Sequence, residues 1–148
     1  MKLPTLTLLA TLLAVVPLWA GSPQRISGNK SVTVEITLKK GSLAPGASGE
    51  MAFTFTPVAG IHVNVKPAPE FTLDSSSLAS LTGRLQLPKG TEYIRPAMPV
   101  KQLFLVSPGA KPGPATLKGT LTYYFCSDKD GWCSKYKQPV EIALTVRR

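Results

Sequence analysis

The sequence predicts an all-β fold, an immunoglobulin-like antiparallel β-sandwich, and three observations predict it. Apolar residues recur with a period of two in several short segments, the signature of strands with one buried face. Fourteen prolines and twelve glycines fall mostly between those segments, where they punctuate turns. No segment carries a helical period. Seven or eight short strands in about 120 residues fit two packed antiparallel sheets, with a small barrel as the alternative.

The first strand is expected in "SVTVEITL", with Val32, Val34, Ile36 and Leu38 on one face. "APGASG" then makes a turn, and "EMAFTFT" repeats the pattern with Met51, Phe53 and Phe55 inward. Further strands are expected in "IHVNV", "SLTGRLQL" and "KQLFLV". The stretches "VKPAPEF" and "LPKGTEYIRPAMPV" read as excursions between strands, because proline cannot donate to a central ladder. A long strand follows in "TLKGTLTYYF", with Leu117, Leu121, Tyr123 and Phe125 on one face. The chain returns through "PVEIALTV", which alternates again at Val140, Ile142, Leu144 and Val146. No internal repeat, low-complexity tract or long linker divides the chain.

The N-terminal segment reads as a secretory signal. Lys2 supplies a positive charge, an uncharged apolar run follows, and a small residue closes it at Ala20. Cleavage there makes residues 1–20 a signal peptide and leaves 128 of the 148 residues, 21–148, as one domain. Retention as a membrane anchor is the other reading, since Leu18 is larger than the residue usual before a cleavage site. Beyond this run no apolar stretch approaches the roughly 20 residues of a membrane-spanning helix, so no stable span is expected after cleavage. A periplasmic or secreted location follows.

Seventeen Lys and Arg against eight Asp and Glu give a net charge of +9, or +8 once Lys2 is removed. The cations are spread singly, apart from Lys39–Lys40 and the C-terminal Arg147–Arg148. Such a surface favours solubility and a weak attraction to acidic partners or anionic lipid, and the export signal argues against nucleic acid as a partner.

The two cysteines lie in "YYFCSDKDGWCSKYK". Asp and Gly in "SDKDGW" tolerate the conformations of a tight reversal, so Cys126 and Cys133 should face each other across the end of a hairpin, close enough to bond. In an exported chain such a pair is commonly a structural disulfide. Closing an eight-residue loop contributes only about 2.5 kcal/mol, however, and a disulfide near a loop tip is accessible to a partner thiol. Lys135 and Lys137 beside Cys133 favour its thiolate, which makes Cys133 the better nucleophile of the two.

"YFCSDKDGWC", together with "GIHVNV" and its Gly60, His62 and Asn64, resembles the N-terminal periplasmic domain family of the thiol:disulfide interchange protein DsbD. The resemblance implies an immunoglobulin-like sandwich whose Cys126 and Cys133 form a redox pair, with the second cysteine making the mixed disulfide. It also implies that reducing equivalents pass to or from a thioredoxin-like protein or a membrane electron transporter, without a bound cofactor. Phe71, Tyr124 and Trp132 are candidate aromatic cover for the pair. The alternative, from another functional class, is a non-catalytic secreted binding or assembly module in which the same pair is a hairpin staple.

Other constellations are weaker. His62, the only histidine, would complete a three-ligand metal site with two thiolates, but no ligand-spacing motif supports one, and no metal is expected. Trp132 suits docking a partner, although covering the hairpin is the simpler role. Neither a G-x-S-x-G elbow nor a glycine-rich phosphate loop is present, and no acid partner for His62 is recognisable.

Overall fold

The computed structural model describes residues 24–26, 28–75 and 78–148, and all regular structure among them is β. The signal peptide expected over residues 1–20 lies outside the described residues. The strands are β1 (Gln24–Ile26), β2 (Val32–Leu38), β3 (Ser42–Leu43), β4 (Ser48–Pro57), β5 (Ile61–Asn64), β6 (Glu70–Leu73), β7 (Ala79–Gln86), β8 (Tyr93–Ile94), β9 (Val100–Val106), β10 (Gly113–Ser127) and β11 (Cys133–Val146). They form two sheets of an immunoglobulin-like sandwich, antiparallel except where β3 runs parallel to β11.

The first sheet has the order β1-β2-β4-β9-β7. Its inner face is set by period-two alternation: Val32, Val34, Ile36 and Leu38 are buried on β2, and Met51, Phe53 and Phe55 on β4. The register places Val34 opposite Phe55 and Ile36 opposite Phe53, so branched and aromatic side chains alternate across the pair. On β9, Val100, Gln102, Phe104 and Val106 continue the inner face.

Gln102 is a polar residue in that apolar series, only 1% exposed. The β7–β9 register shifts between Thr82 and Gln86, a bulge that takes carbonyls out of the ladder. Gln102 Nε2 donates to the carbonyls of Thr82 and Gly83, both at 3.2 Å, and of Leu103 at 2.8 Å. The buried amide thus satisfies groups that the bulge would otherwise leave without donors.

The second sheet is built on the β10–β11 hairpin, whose register runs unbroken from Gly113↔Val146 to Cys126↔Cys133. The other edge of β10 is shared: β6 pairs with Gly119–Thr122 and β5 with Phe125–Ser127. The proline-containing excursion expected after "IHVNV" is therefore the step by which the chain leaves β5 and rejoins the same strand edge as β6. Beyond β5 lies β8, with Asn64 opposite Tyr93. Leu117, Leu121, Tyr123 and Phe125 of β10 and Val140, Ile142, Leu144 and Val146 of β11 are all buried against the first sheet. Gly119 completes that row because a side chain there would run into the Thr72 carbonyl oxygen and the Phe71 ring.

Tyr123 lies at the centre of the core, fully buried, with its ring 5.1 Å from Phe55 in an edge-on contact. Its hydroxyl donates to Gln138 Oε1 at 3.3 Å and accepts from Asn29 Nδ2 at 3.1 Å. Burial, reinforced by the neighbouring Tyr136, pushes the phenol well above its ordinary value. Among the described residues no helix is long and apolar enough to cross a membrane.

Candidate functional site: the outer face around the disulfide rung

The two cysteines are bonded and form the last rung of the β10–β11 ladder, with Cα atoms 4.1 Å apart. Alternation along β10 sends Phe125 into the core and Cys126 to the outer face. Cys126 is nevertheless only 6% exposed, because β5 runs beside it with His62 directly opposite. Asn64 Nδ2 donates to Cys126 Sγ at 3.1 Å. Cys133 is exposed.

The turn between the strands is self-bonded. Ser127 N donates to the Trp132 carbonyl at 2.9 Å, Gly131 N to the Ser127 carbonyl at 3.1 Å, and Asp130 N to Ser127 Oγ at 3.1 Å. Gly131 has φ +68°, the left-handed conformation that a reversal of this kind requires. The turn is also tied to the β4–β5 turn through Asp128 N and the Gly60 carbonyl, 2.9 Å apart.

The structure brings together His62, Asn64 and the cysteines, which "GIHVNV" and the cysteine stretch hold far apart in sequence. It also supplies a partner that sequence reading did not find: His62 Nδ1 lies 2.6 Å from Asp128 Oδ1. The two are 66 residues apart, so nothing in local spacing signals the pair. On its other side the imidazole packs on Tyr93, ring centroids 4.1 Å apart. His62 is thus held between a carboxylate and an aromatic ring. Among the described residues no group of three His, Cys, Asp or Glu side chains is placed to hold a metal.

The expected aromatic cover is not a unit. Phe71 sits opposite Leu121 and packs on Phe53 in the core, centroids 5.1 Å apart, so it does not cover the disulfide. Tyr124 lies on the outer face with Lys135 Nζ 5.7 Å from its ring centroid. Trp132, 42% exposed, meets Phe125 edge-on at 5.9 Å beside the hairpin turn. Lys135, expected to favour a Cys133 thiolate, is directed at this tyrosine, its cross-strand partner.

Beside the rung, between β5 and the segment leading into β8, is an open cavity of about 400 Å³ lined by His62, Asn64, Val65, Lys66, Thr91, Glu92 and Tyr93. Its two walls are joined by Val65 N donating to the Glu92 carbonyl at 3.0 Å. Thr91 Oγ1 donates to the Tyr93 carbonyl at 2.9 Å and fixes the bend. Asn64 Oδ1 is buried without a hydrogen-bond partner.

No family model matches the chain, and no curated protein does. Among solved structures, the chain is similar to the GAE domain of GGA2p from Saccharomyces cerevisiae, with 14% identity over 83% of this chain and 97% of that one and a TM-score of 0.48. It is also similar to a yeast GGA1 GAE domain, with 12% identity over 78% of this chain and 96% of that one and a TM-score of 0.44. These are GAE domains, not DsbD N-terminal domains, and no sequence comparison supports the DsbD resemblance. That reading is corrected, and with it the thiol:disulfide interchange function and the mixed-disulfide partners it implied. The physical reason is the low information in the motif: two cysteines flanking a turn of Asp and Gly meet across any antiparallel hairpin, whatever the disulfide is for.

Proposed function

We propose that this chain is an exported, non-catalytic binding or assembly module in which the Cys126–Cys133 disulfide is a hairpin staple. The observation that carries the reading is the position of the bond. It closes the last rung of a ladder that is in register along its whole length, and Cys126 is buried in the rung between β11 and the flanking β5. Attack at the exposed Cys133 sulfur would expel the Cys126 thiolate into a position only 6% exposed, where the Asn64 amide stands in place of a full shell of water. The export assignment rests on the N-terminal charge, apolar run and small residue at Ala20.

The rigid end of the second sheet supports binding as the role of the module. The two turns there are tied to each other, the His62 ring is fixed on two sides, and Tyr93 and Trp132 remain exposed at 38% and 42%. Exposed aromatics on a fixed frame offer contact area at low cost in conformational entropy. The test is to incubate the oxidised protein with reduced thioredoxin and count alkylated thiols by mass spectrometry. The disulfide should remain intact, whereas rapid appearance of two alkylated cysteines would reject the staple.

A further inference from the structure

We infer that the cavity between β5 and the β8 segment is a carbohydrate site that takes a neutral pyranose ring against Tyr93. This inference names the ligand class for the binding module proposed above and rests on that reading.

Size and lining both restrict the ligand. A volume of about 400 Å³ lies in the range of small-molecule sites. Five of its seven residues are polar or charged: His62, Asn64, Lys66, Thr91 and Glu92. Such a wall discriminates against an apolar ligand, which would strip water from these groups and return no hydrogen bonds. Lys66 and Glu92 carry opposite charges, and neither is engaged in an ion pair among the described residues. A singly charged ligand would therefore meet one attraction and one repulsion. A neutral ligand with many hydroxyls meets neither penalty, and each hydroxyl can donate to the Glu92 carboxylate or accept from the Lys66 ammonium.

The aromatic wall selects among polyols. Tyr93 is exposed at 38% and is held in place by its contact with His62, itself anchored by Asp128. The face of an aromatic ring is electronegative and attracts the weakly positive C–H groups on one side of a pyranose, whose hydroxyls then point outward to the polar rim. A flexible acyclic polyol has no such face. Asn64 is fixed in the cavity wall by its Nδ2, which donates to Cys126 Sγ at 3.1 Å, so the disulfide helps to position that wall.

The experiment is a two-dimensional NMR titration of the oxidised protein with methyl glucoside, methyl galactoside, N-acetylglucosamine and their β-linked disaccharides, repeated with Tyr93→Ala, Glu92→Gln and Lys111→Ala. At least one sugar should give saturable shifts at residues 62–66 and 91–93 with millimolar or tighter affinity. Binding should weaken at least about tenfold in Tyr93→Ala, fall in Glu92→Gln, and be unchanged in Lys111→Ala, an exposed position outside the cavity, before the opposite end of β10. Tyr93 is on an exposed edge, and Glu92→Gln preserves shape, so loss in both cannot be unfolding if the spectra stay dispersed. No saturable shift with any of these sugars, or equal binding by Tyr93→Ala, overturns the inference. The thioredoxin assay on the same samples separates the two readings. An inert disulfide with no sugar binding defeats the carbohydrate site alone, whereas an exchangeable disulfide defeats the non-catalytic module.

Discussion

At the scale of single residues, the core is specified by a few polar atoms placed among apolar ones. Tyr123 is the largest fully buried side chain among the described residues, and its hydroxyl links Gln138 on the neighbouring strand to Asn29 ahead of β2. Tyr123→Phe removes a donor from Gln138 and an acceptor from Asn29 while preserving the ring, so a loss of about 1–2 kcal/mol in denaturant unfolding is expected. The same buried phenol makes stability depend on alkaline pH. It keeps its proton in the folded chain at pH values where the unfolded chain, with an ordinary value near 10, releases it. Its contribution is therefore fully present below about pH 10 and is lost as the pH rises toward the elevated folded value, and Tyr123→Phe should show a shallower alkaline decline. Alternation alone identifies Tyr123 as inward-facing, but not its partners, which are distant in sequence or polar residues within apolar runs. The same holds for His62 and Asp128, whose proximity exists only once the β4–β5 and β10–β11 turns meet.

At the scale of elements, strands that alternate outside the proline-marked excursions are legible, down to the four residues of β5, and the shortest are not. β2, β4, β9, β10 and β11 follow the period-two pattern closely because each has one face in the core and one outside it. β3 and β8 are two residues long, too short to display a period, and β6 and β8 begin inside segments that their prolines mark as excursions. The hairpin end was predictable in the same way: Asp and Gly in the turn, with apolar alternation on both sides, place Cys126 opposite Cys133. What the bond is for is not encoded in that pattern. The ladder is continuous without the bond, so Cys126→Ser with Cys133→Ser should remain folded by circular dichroism and lose only about 2–3 kcal/mol. Gly119 is the more fragile point of the hairpin. Gly119→Ala drives a methyl toward the Thr72 backbone and the Phe71 ring, and because backbone cannot move aside cheaply, a loss of about 1–3 kcal/mol in thermal or chemical unfolding is expected.

At the scale of the whole molecule, the two sheets form a sandwich, and the proposed binding surface is one end of the second sheet. The proposed export predicts that intact-mass analysis of the exported protein finds a chain beginning near Gly21; a chain retaining Met1 would reject the cleavage. The sandwich class was legible because it depends on how many strands there are and on which faces are buried, both of which composition and periodicity carry. The cavity lined by His62, Asn64, Lys66, Glu92 and Tyr93 was not, because two segments that look like unrelated excursions meet only through the β5–β8 pairing. The same geometry sets Cys126 beside β5, opposite His62, and makes the disulfide part of the frame. Equilibration of the protein against defined thiol:disulfide buffers, with the oxidised fraction read by alkylation, tests this most directly. A midpoint below about −300 mV is predicted for a staple, and a midpoint between about −120 and −230 mV, where exchange proteins work, would contradict it.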